Sequence, residues 1–348
     1  MSHQDRSRKP CRTSLVFGLL VAAGVGWLPA DVGAGKTATR STRTSEDIRQ
    51  APAHATQAPP NRFEAVVAND TYVYLAAGSR VAVIDVSNSL RPTILGQTEP
   101  LPDVVRDVRV DGRVAYVAAG DAGLSVVDLW YADSPVVTAM LETPGYATGV
   151  DIAGSHVYVA DGQAGLQIVD ASSSTGPSRV GSASTPGRAR AVRVAGRYAY
   201  VATEEEGVRI LDVSDPTSPF EIGAYTTAGD ANDVSVVGSY AYVAEGGAGL
   251  GVVDISDPTA PSRVGRSAVP YARSLYVSDG FAYVAGERSG LWIIDVSDPA
   301  VPVIVSHFRT TASANDVYVV RGYAFVATRA GLQVVDVSNP ALPTTVAN

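Results

Sequence analysis

The chain holds a single cysteine, Cys11, in 348 residues, so no disulfide can form within it and its stability has to come from packing. Cys11 also precedes the N-terminal apolar stretch, which is not the placement of a lipid-anchor cysteine. From Asn61 onward there is no lysine, and 19 arginines stand against 31 acidic residues, a formal charge of −12. The missing lysine excludes Schiff-base chemistry there. The acidic balance excludes nucleic acid as a partner, because neutralising phosphates takes clustered Lys and Arg. Histidine is scarce as well: of four, His3 and His54 lie in the N-terminal tail, leaving His156 and His307. HExxH, CxxC, P-loop, GxSxG and sialidase-type Asp-box motifs are all missing from Asn61 to the end, which removes the usual metalloprotease, redox, nucleotide and serine-hydrolase constellations.

What is present begins with a targeting pattern. Arg6, Arg8, Lys9 and Arg12 form a basic region ahead of the apolar run Ser14 to Trp27, which is shorter than the roughly 20 residues a spanning helix needs. Small residues follow, with Val32-Gly33-Ala34 as a peptidase site and Ala30 as a second candidate. Residues 1–34 are therefore expected to be a signal peptide, or an uncleaved anchor, and the rest of the chain to be periplasmic, displayed on the cell surface or secreted. Residues 35–60, rich in Thr, Ser, Ala, Pro and charge with no period, are expected to form a disordered linker.

Beyond the linker the sequence repeats. A short apolar run ending in aspartate recurs at Asp85, Asp128, Asp170, Asp212, Asp254, Asp295 and Asp336, at steps of 43, 42, 42, 42, 41 and 41 residues. Upstream of each lies a second run, such as YVYLA, HVYVA or YAYVA, rich in aromatic and β-branched residues and preceded by a turn such as Asp111-Gly112. Each unit therefore reads as four strands. Strand a is the DVRV-like segment, strand b the YAYVA segment, strand c the run ending in aspartate, and strand d a more polar edge such as PSRVGRSA. Seven such units predict an all-β, seven-bladed β-propeller with four antiparallel strands per blade. The expected blades are 63–104, 105–146, 147–188, 189–230, 231–271, 272–313 and 314–348, closed by packing the first on the last without exchange of a strand. No run between Asn61 and Asn348 has the long period of 3.6 that a helical solenoid requires.

The segments VRILDVSDP, LGVVDISDP, LWIIDVSDP and LQVVDVSNP, each with its upstream YAYVA-type hairpin, resemble the LVIVD repeat of exported and cell-surface bacterial and archaeal proteins. In the first three units the turn departs from that pattern, most strongly in LSVVDLWYADSP, where Trp130 and Tyr131 replace the polar turn. The resemblance implies a propeller and an extracytoplasmic setting, and it implies no reaction.

Functional candidates follow from the ring. The residues opening each strand a lie next to the axis, so Arg106, Asp107, Arg190, Asn232, Asp233, Arg273, Asn315 and Asp316 are expected to line the channel mouth. Asp107, Asp233 and Asp316 could ring a Ca²⁺ ion, the one cofactor the residues suggest, while Arg106, Arg190 and Arg273 could hold an anion; a solvated rim would look the same. The seven strand-c aspartates fit structural caps of the following turn. Acidic residues of the b–c loops, Asp161 and Glu245 among them, are expected on the same face as the mouth. Trp130 and Tyr131 mark a candidate partner contact. The leading expectation is a non-enzymatic interaction or scaffold module that meets another protein or a cell-surface component. The other is a metal-dependent hydrolase or small-ligand binder with its site at the mouth.

Overall fold

The computed structural model describes residues 63–347, and within them every unit is a four-stranded antiparallel sheet in the order a-b-c-d. In the first blade the strands are Phe63–Ala68, Tyr72–Ala77, Arg80–Asp85 and Thr93–Gln97. Seven such sheets make the seven-bladed β-propeller that the repeat predicts. The expected signal peptide at 1–34 and linker at 35–60 lie outside the described residues.

Strands b and c are nearly all apolar because both of their faces are covered. In HVYVA four successive residues, Val157 to Ala160, are buried, as are Leu166 to Val169 of the partner strand. A sheet sandwiched between neighbours has no solvent face, so the simple in-out alternation is lost. Strand d is the outer edge, and none of its residues in Ser178–Ala183 is buried, with Arg179 on that polar edge. The a–b hairpins turn tightly through glycine, for example Gly112 at φ 57°, a conformation that costs glycine little.

The core lies between blades. One cluster joins Tyr116, Leu124 and Val126 of the second blade to Val150, Val157 and Val169 of the third. Each fully buried Val, Leu or Ile contributes roughly 1.5–3 kcal/mol. The cluster that closes the ring joins Phe63, Val73 and Ile84 of the first blade to Phe325, Ala327 and Val334 of the last. All four strands of the last sheet come from the C-terminal repeat, so no strand is exchanged. Polar contacts complete this seam: the Asn315 amide donates to Phe63 O at 2.6 Å and Arg321 to Asp70 Oδ2 at 2.6 Å.

The SDPxxP turns have a second role that their turn chemistry does not reveal. Each docks on strand d of the preceding blade. A Cβ at Gly181 or Gly223 would lie well inside contact distance of Pro216 O or Pro258 O, and Gly265 meets Pro299 O in the same way. Where a hydroxyl residue lines the seam, it donates to the approaching carbonyl: Thr138 to Ser174 O at 3.1 Å and Ser306 to Pro340 O at 2.6 Å.

Candidate functional site

The eight residues expected at the mouth all line one cavity of about 1290 Å³, bordered by strand-a starts, d–a loops and b–c loops. Their chemistry divides them into two groups. Asp107, Asp233 and Asp316 are seam residues. Their Oδ2 atoms accept from the strand-a amide of the next blade, at Val150 (3.1 Å), Leu275 (3.2 Å) and Val66 (2.8 Å). Their Oδ1 atoms accept from the amide of the following residue at 2.8 to 2.9 Å. Asp151, two residues beyond the start of its own strand a at Gly149, does the same for Val194 N at 2.7 Å. Asn232 and Asn315 donate across seams to Ala272 O and Phe63 O.

The three carboxylates expected to ring a Ca²⁺ ion do not gather into a ligand set. Their oxygens are already taken by backbone donors, and among the described residues no group of three or more His, Cys, Asp or Glu is placed to hold a metal. The cation they surround belongs to the protein. Arg109, on strand a of the second blade, reaches Asp107 Oδ1 at 2.9 Å and Asp151 Oδ1 at 3.9 Å. Burial opposes its charge, yet Asp107, Asp151, Asp316 and Asp233 outweigh burial and hold the guanidinium firmly protonated. Arg193 approaches Asp233 Oδ1 at 3.3 Å. Both arginines also line a smaller cavity of about 270 Å³ with Tyr276 and Tyr318, so they form a charged waist between the two openings. Sequence reading missed Arg109 because, in strand a, it looks like one of several polar residues; only ring closure turns it toward four carboxylates.

The arginines Arg106, Arg190 and Arg273 remain above the waist. Arg106 donates to the Tyr146 hydroxyl through Nε at 3.0 Å and Nη2 at 2.5 Å, and its guanidinium carbon lies 5.2 Å from that ring's centre. Arg190 pairs with Glu204. Arg273 spans to Glu64 of the first blade at 2.5 Å and approaches Glu287 at 3.5 Å.

Two of the b–c loop acids are enclosed rather than exposed. Asp161 accepts from Thr143 Oγ1 at 2.6 Å and Gly145 N at 2.9 Å, and Glu245 accepts from the Tyr225 hydroxyl at 3.2 Å. Both are fully enclosed. The residue after strand b turns inward beneath the incoming d–a connection, where its carboxylate braces that connection, and burial pushes both pKa values up. The two histidines of the propeller lie away from the mouth cavity's lining. His156 sits in a hairpin beside Ser155, and His307 stacks on Trp292 at 4.2 Å.

The strand-c aspartates cap the turn in all seven blades, each accepting from the amide two residues on, as Asp254 does from Ser256 at 2.8 Å. Six of them are held below the usual carboxylate range, Asp212 at about 2 through Ser214 and Arg197. Asp316 moves the other way: burial, with Asp107 and Asp233 nearby and Ser274 opposing, pushes it up to about 6. A lowered folded pKa gives stability that is present above the unfolded value of 3.8 and is lost as pH falls; a raised one gives stability that is present below that value and is lost as pH rises. Stability is therefore expected to increase from pH 7 toward pH 4, as Asp316 gains its proton, and then to fall between 3.8 and 2 as the caps are lost. Urea midpoints measured across this range check it, and Asp316→Asn should flatten the slope above pH 4.

On the opposite face, Trp130 and Tyr131 are 60% and 67% exposed, with the Arg113 guanidinium carbon 3.8 Å from the Trp130 ring centre. The described residues of the neighbouring blades leave both rings open.

No curated protein matches the chain. Among solved structures it is similar to a computationally designed protein, Ika8 (TM-score 0.62, 9% identity, 81% of this chain and 85% of that one). It is also similar to a functionally unknown protein of Desulfotomaculum acetoxidans DSM 771 (TM-score 0.63, 15% identity, 77% of this chain and 90% of that one). At these identities the likeness concerns the fold alone. The LVIVD repeat model matches residues 64–98, 104–134, 144–185, 186–227, 228–269, 271–310 and 312–348, one stretch for each blade, and the chain belongs to the LVIVD repeat family.

Proposed function

We propose that this chain is a non-enzymatic binding propeller that works outside the cytoplasm, with the wider channel mouth as its working face and a protein or cell-surface component as its partner. The observation that carries this is the division of labour at the axis. Asp107, Asp233 and Asp316, the groups best suited to chemistry, are spent on seams and on Arg109, while the mouth keeps a polar cavity of about 1290 Å³ rimmed by loops. A general base or metal ligand would need a carboxylate with a free oxygen facing substrate, and the waist carboxylates have none to spare. The extracytoplasmic setting is supported by the basic and apolar pattern of the first 27 residues.

The test is hydrogen exchange of the purified protein with and without a cell-envelope extract. Protection of the d–a loops around Tyr146, Arg188 and Tyr271 supports the reading, and unchanged exchange at the mouth overturns it. A second reading rests on the exposed pair on the other face: a partner protein docking on Trp130 and Tyr131. Replacing both by Ser is then expected to abolish protein recovery in a pull-down from the envelope extract, and undiminished recovery rejects that reading.

A further inference from the structure

Tyr271 is an exposed aromatic residue held in a strained backbone conformation. It is 65% exposed on the loop into the sixth blade, lines the mouth cavity and has φ 55°. An aromatic residue adopts that conformation at a cost glycine avoids, and exposure returns little burial to offset it. Nearby, Glu287 has φ 47° at the b–c loop position that Gly120, Gly162 and Gly246 fill at 52 to 57°. It too lines the mouth, 3.5 Å from Arg273. Two residues with strained backbone therefore border the same sector, and such outliers point toward function more than toward stability.

A cluster of positive charge lies on the same cavity. The Arg188 guanidinium is exposed and has no hydrogen-bond or ion-pair partner among the described residues. Arg190 gives Nη2 to Glu204 and leaves Nε without a partner. Its charge is disfavoured first by burial and then by Arg273 and Arg188, against the pull of Asp230. Within this cluster Arg188 is the arginine with no carboxylate paired to it, whereas Arg190 has Glu204 and Arg273 has Glu64 and Glu287. The mouth as a whole is not short of negative charge: Arg106, Arg188, Arg190 and Arg273 face five acids, Glu64, Asp121, Glu204, Asp230 and Glu287. A polyanion is repelled by that balance, whereas a ligand with a single carboxylate and many hydroxyls finds arginine for the former and Asp or Glu for the latter.

We infer that the channel mouth binds an acidic sugar, a polyhydroxylated ring bearing one carboxylate. The carboxylate sits on Arg188 and Arg190, one face of the ring on Tyr271, and hydroxyls on Asp230 and Glu287. This rests on the mouth being the working face. The cavity exceeds the roughly 300–1,000 Å³ of ordinary ligand sites, so it holds either a free sugar or the end of a short acidic glycan.

The test is calorimetry on the full chain with glucuronic acid, its linear trimer, glucose and succinate. Glucuronic acid or the trimer is expected to bind, with glucose and succinate each at least about tenfold weaker, the loss of one charge-assisted contact or one stacking face. Arg188→Gln, an exposed residue with no partner to strand, should weaken binding about tenfold. Tyr271→Gly should weaken it similarly while leaving the melting temperature equal or higher, because glycine relieves the strained φ; a purely structural tyrosine would not separate the two readouts. Glucose or succinate binding as tightly as the acidic sugars, wild-type affinity in Tyr271→Gly, or no binding by either acidic sugar overturns the inference. If the acidic sugars fail while envelope extract still protects the mouth loops, only the ligand class falls; if the loops are never protected, the working-face reading falls with it.

Discussion

Arg109→Met is expected to destabilise the propeller by about 3–5 kcal/mol, the usual consequence of removing one partner from a buried charge network. The side chain is only 16% exposed and donates to Asp107 Oδ1 and to Val108 O, both at 2.9 Å. Without it, Asp107, Asp151, Asp233 and Asp316 face one another at the axis with Arg193 as the remaining cation at the waist, 3.3 Å from Asp233. Their carboxylates cannot turn away, because each holds the backbone of the next blade. Desolvated like charges raise carboxylate pKa values, so the loss should be larger at pH 7 than at pH 4.5. Urea unfolding of the variant at both pH values checks this, and Asp107→Asn in the same background should recover part of the loss. A change below about 1 kcal/mol, the scale of a surface ion pair, would show that Arg109 does not hold the axis together.

The second large effect lies at the rim. Gly181→Ala and Gly223→Ala are each expected to cost at least about 1–3 kcal/mol by overpacking. The added methyl would run into the carbonyl of Pro216 or Pro258 in the next blade, which is backbone and cannot rotate aside. Relief requires the turn to lift from strand d, opening a blade seam. Gly247→Ala is the control, since a Cβ there meets nothing within 4 Å, and it should be neutral or slightly stabilising through the unfolded state. Chemical denaturation of the three variants provides the comparison; equal stability for Gly181→Ala and Gly247→Ala would reject the docking role of the proline turns.

The two predictions concern features that differ in how far the sequence shows them. Strand b and strand c could be read directly, because burial on both faces imposes continuous apolar runs such as YAYVA and LGVVD. The capping aspartates were equally legible, since the acceptor and its amide lie two residues apart. Glycine at mid-strand d, by contrast, carries no local signal. Its partner is a carbonyl about 35 residues away, and no turn rule connects Gly181 with Pro216.

The candidate site was legible as a set of positions but not as roles. Counting to the start of each strand a placed Arg106, Asp107, Arg190, Asn232, Asp233, Arg273, Asn315 and Asp316 on one cavity. It could not show that Asp233 would accept from Leu275 N while Arg190 kept a free Nε, because both depend on the angle between adjacent blades. Tyr271 and Glu287 were invisible as strained residues, since φ is not written in residue type.

By itself the sequence determined the number of blades, the four strands of each, the turns between them, the impossibility of a disulfide within the chain and the absence of lysine from Asn61 onward. All of these follow from composition, from counting the repeats, or from patterns within one repeat, where local sterics and alternation act. The tertiary structure alone decided which carboxylates bind the ring together, which arginine fills its axis, and which side chains remain free at the mouth. Those outcomes rest on contacts between residues 35 to 250 positions apart, and such contacts exist only once seven sheets have closed around a common axis and desolvated the groups that meet there.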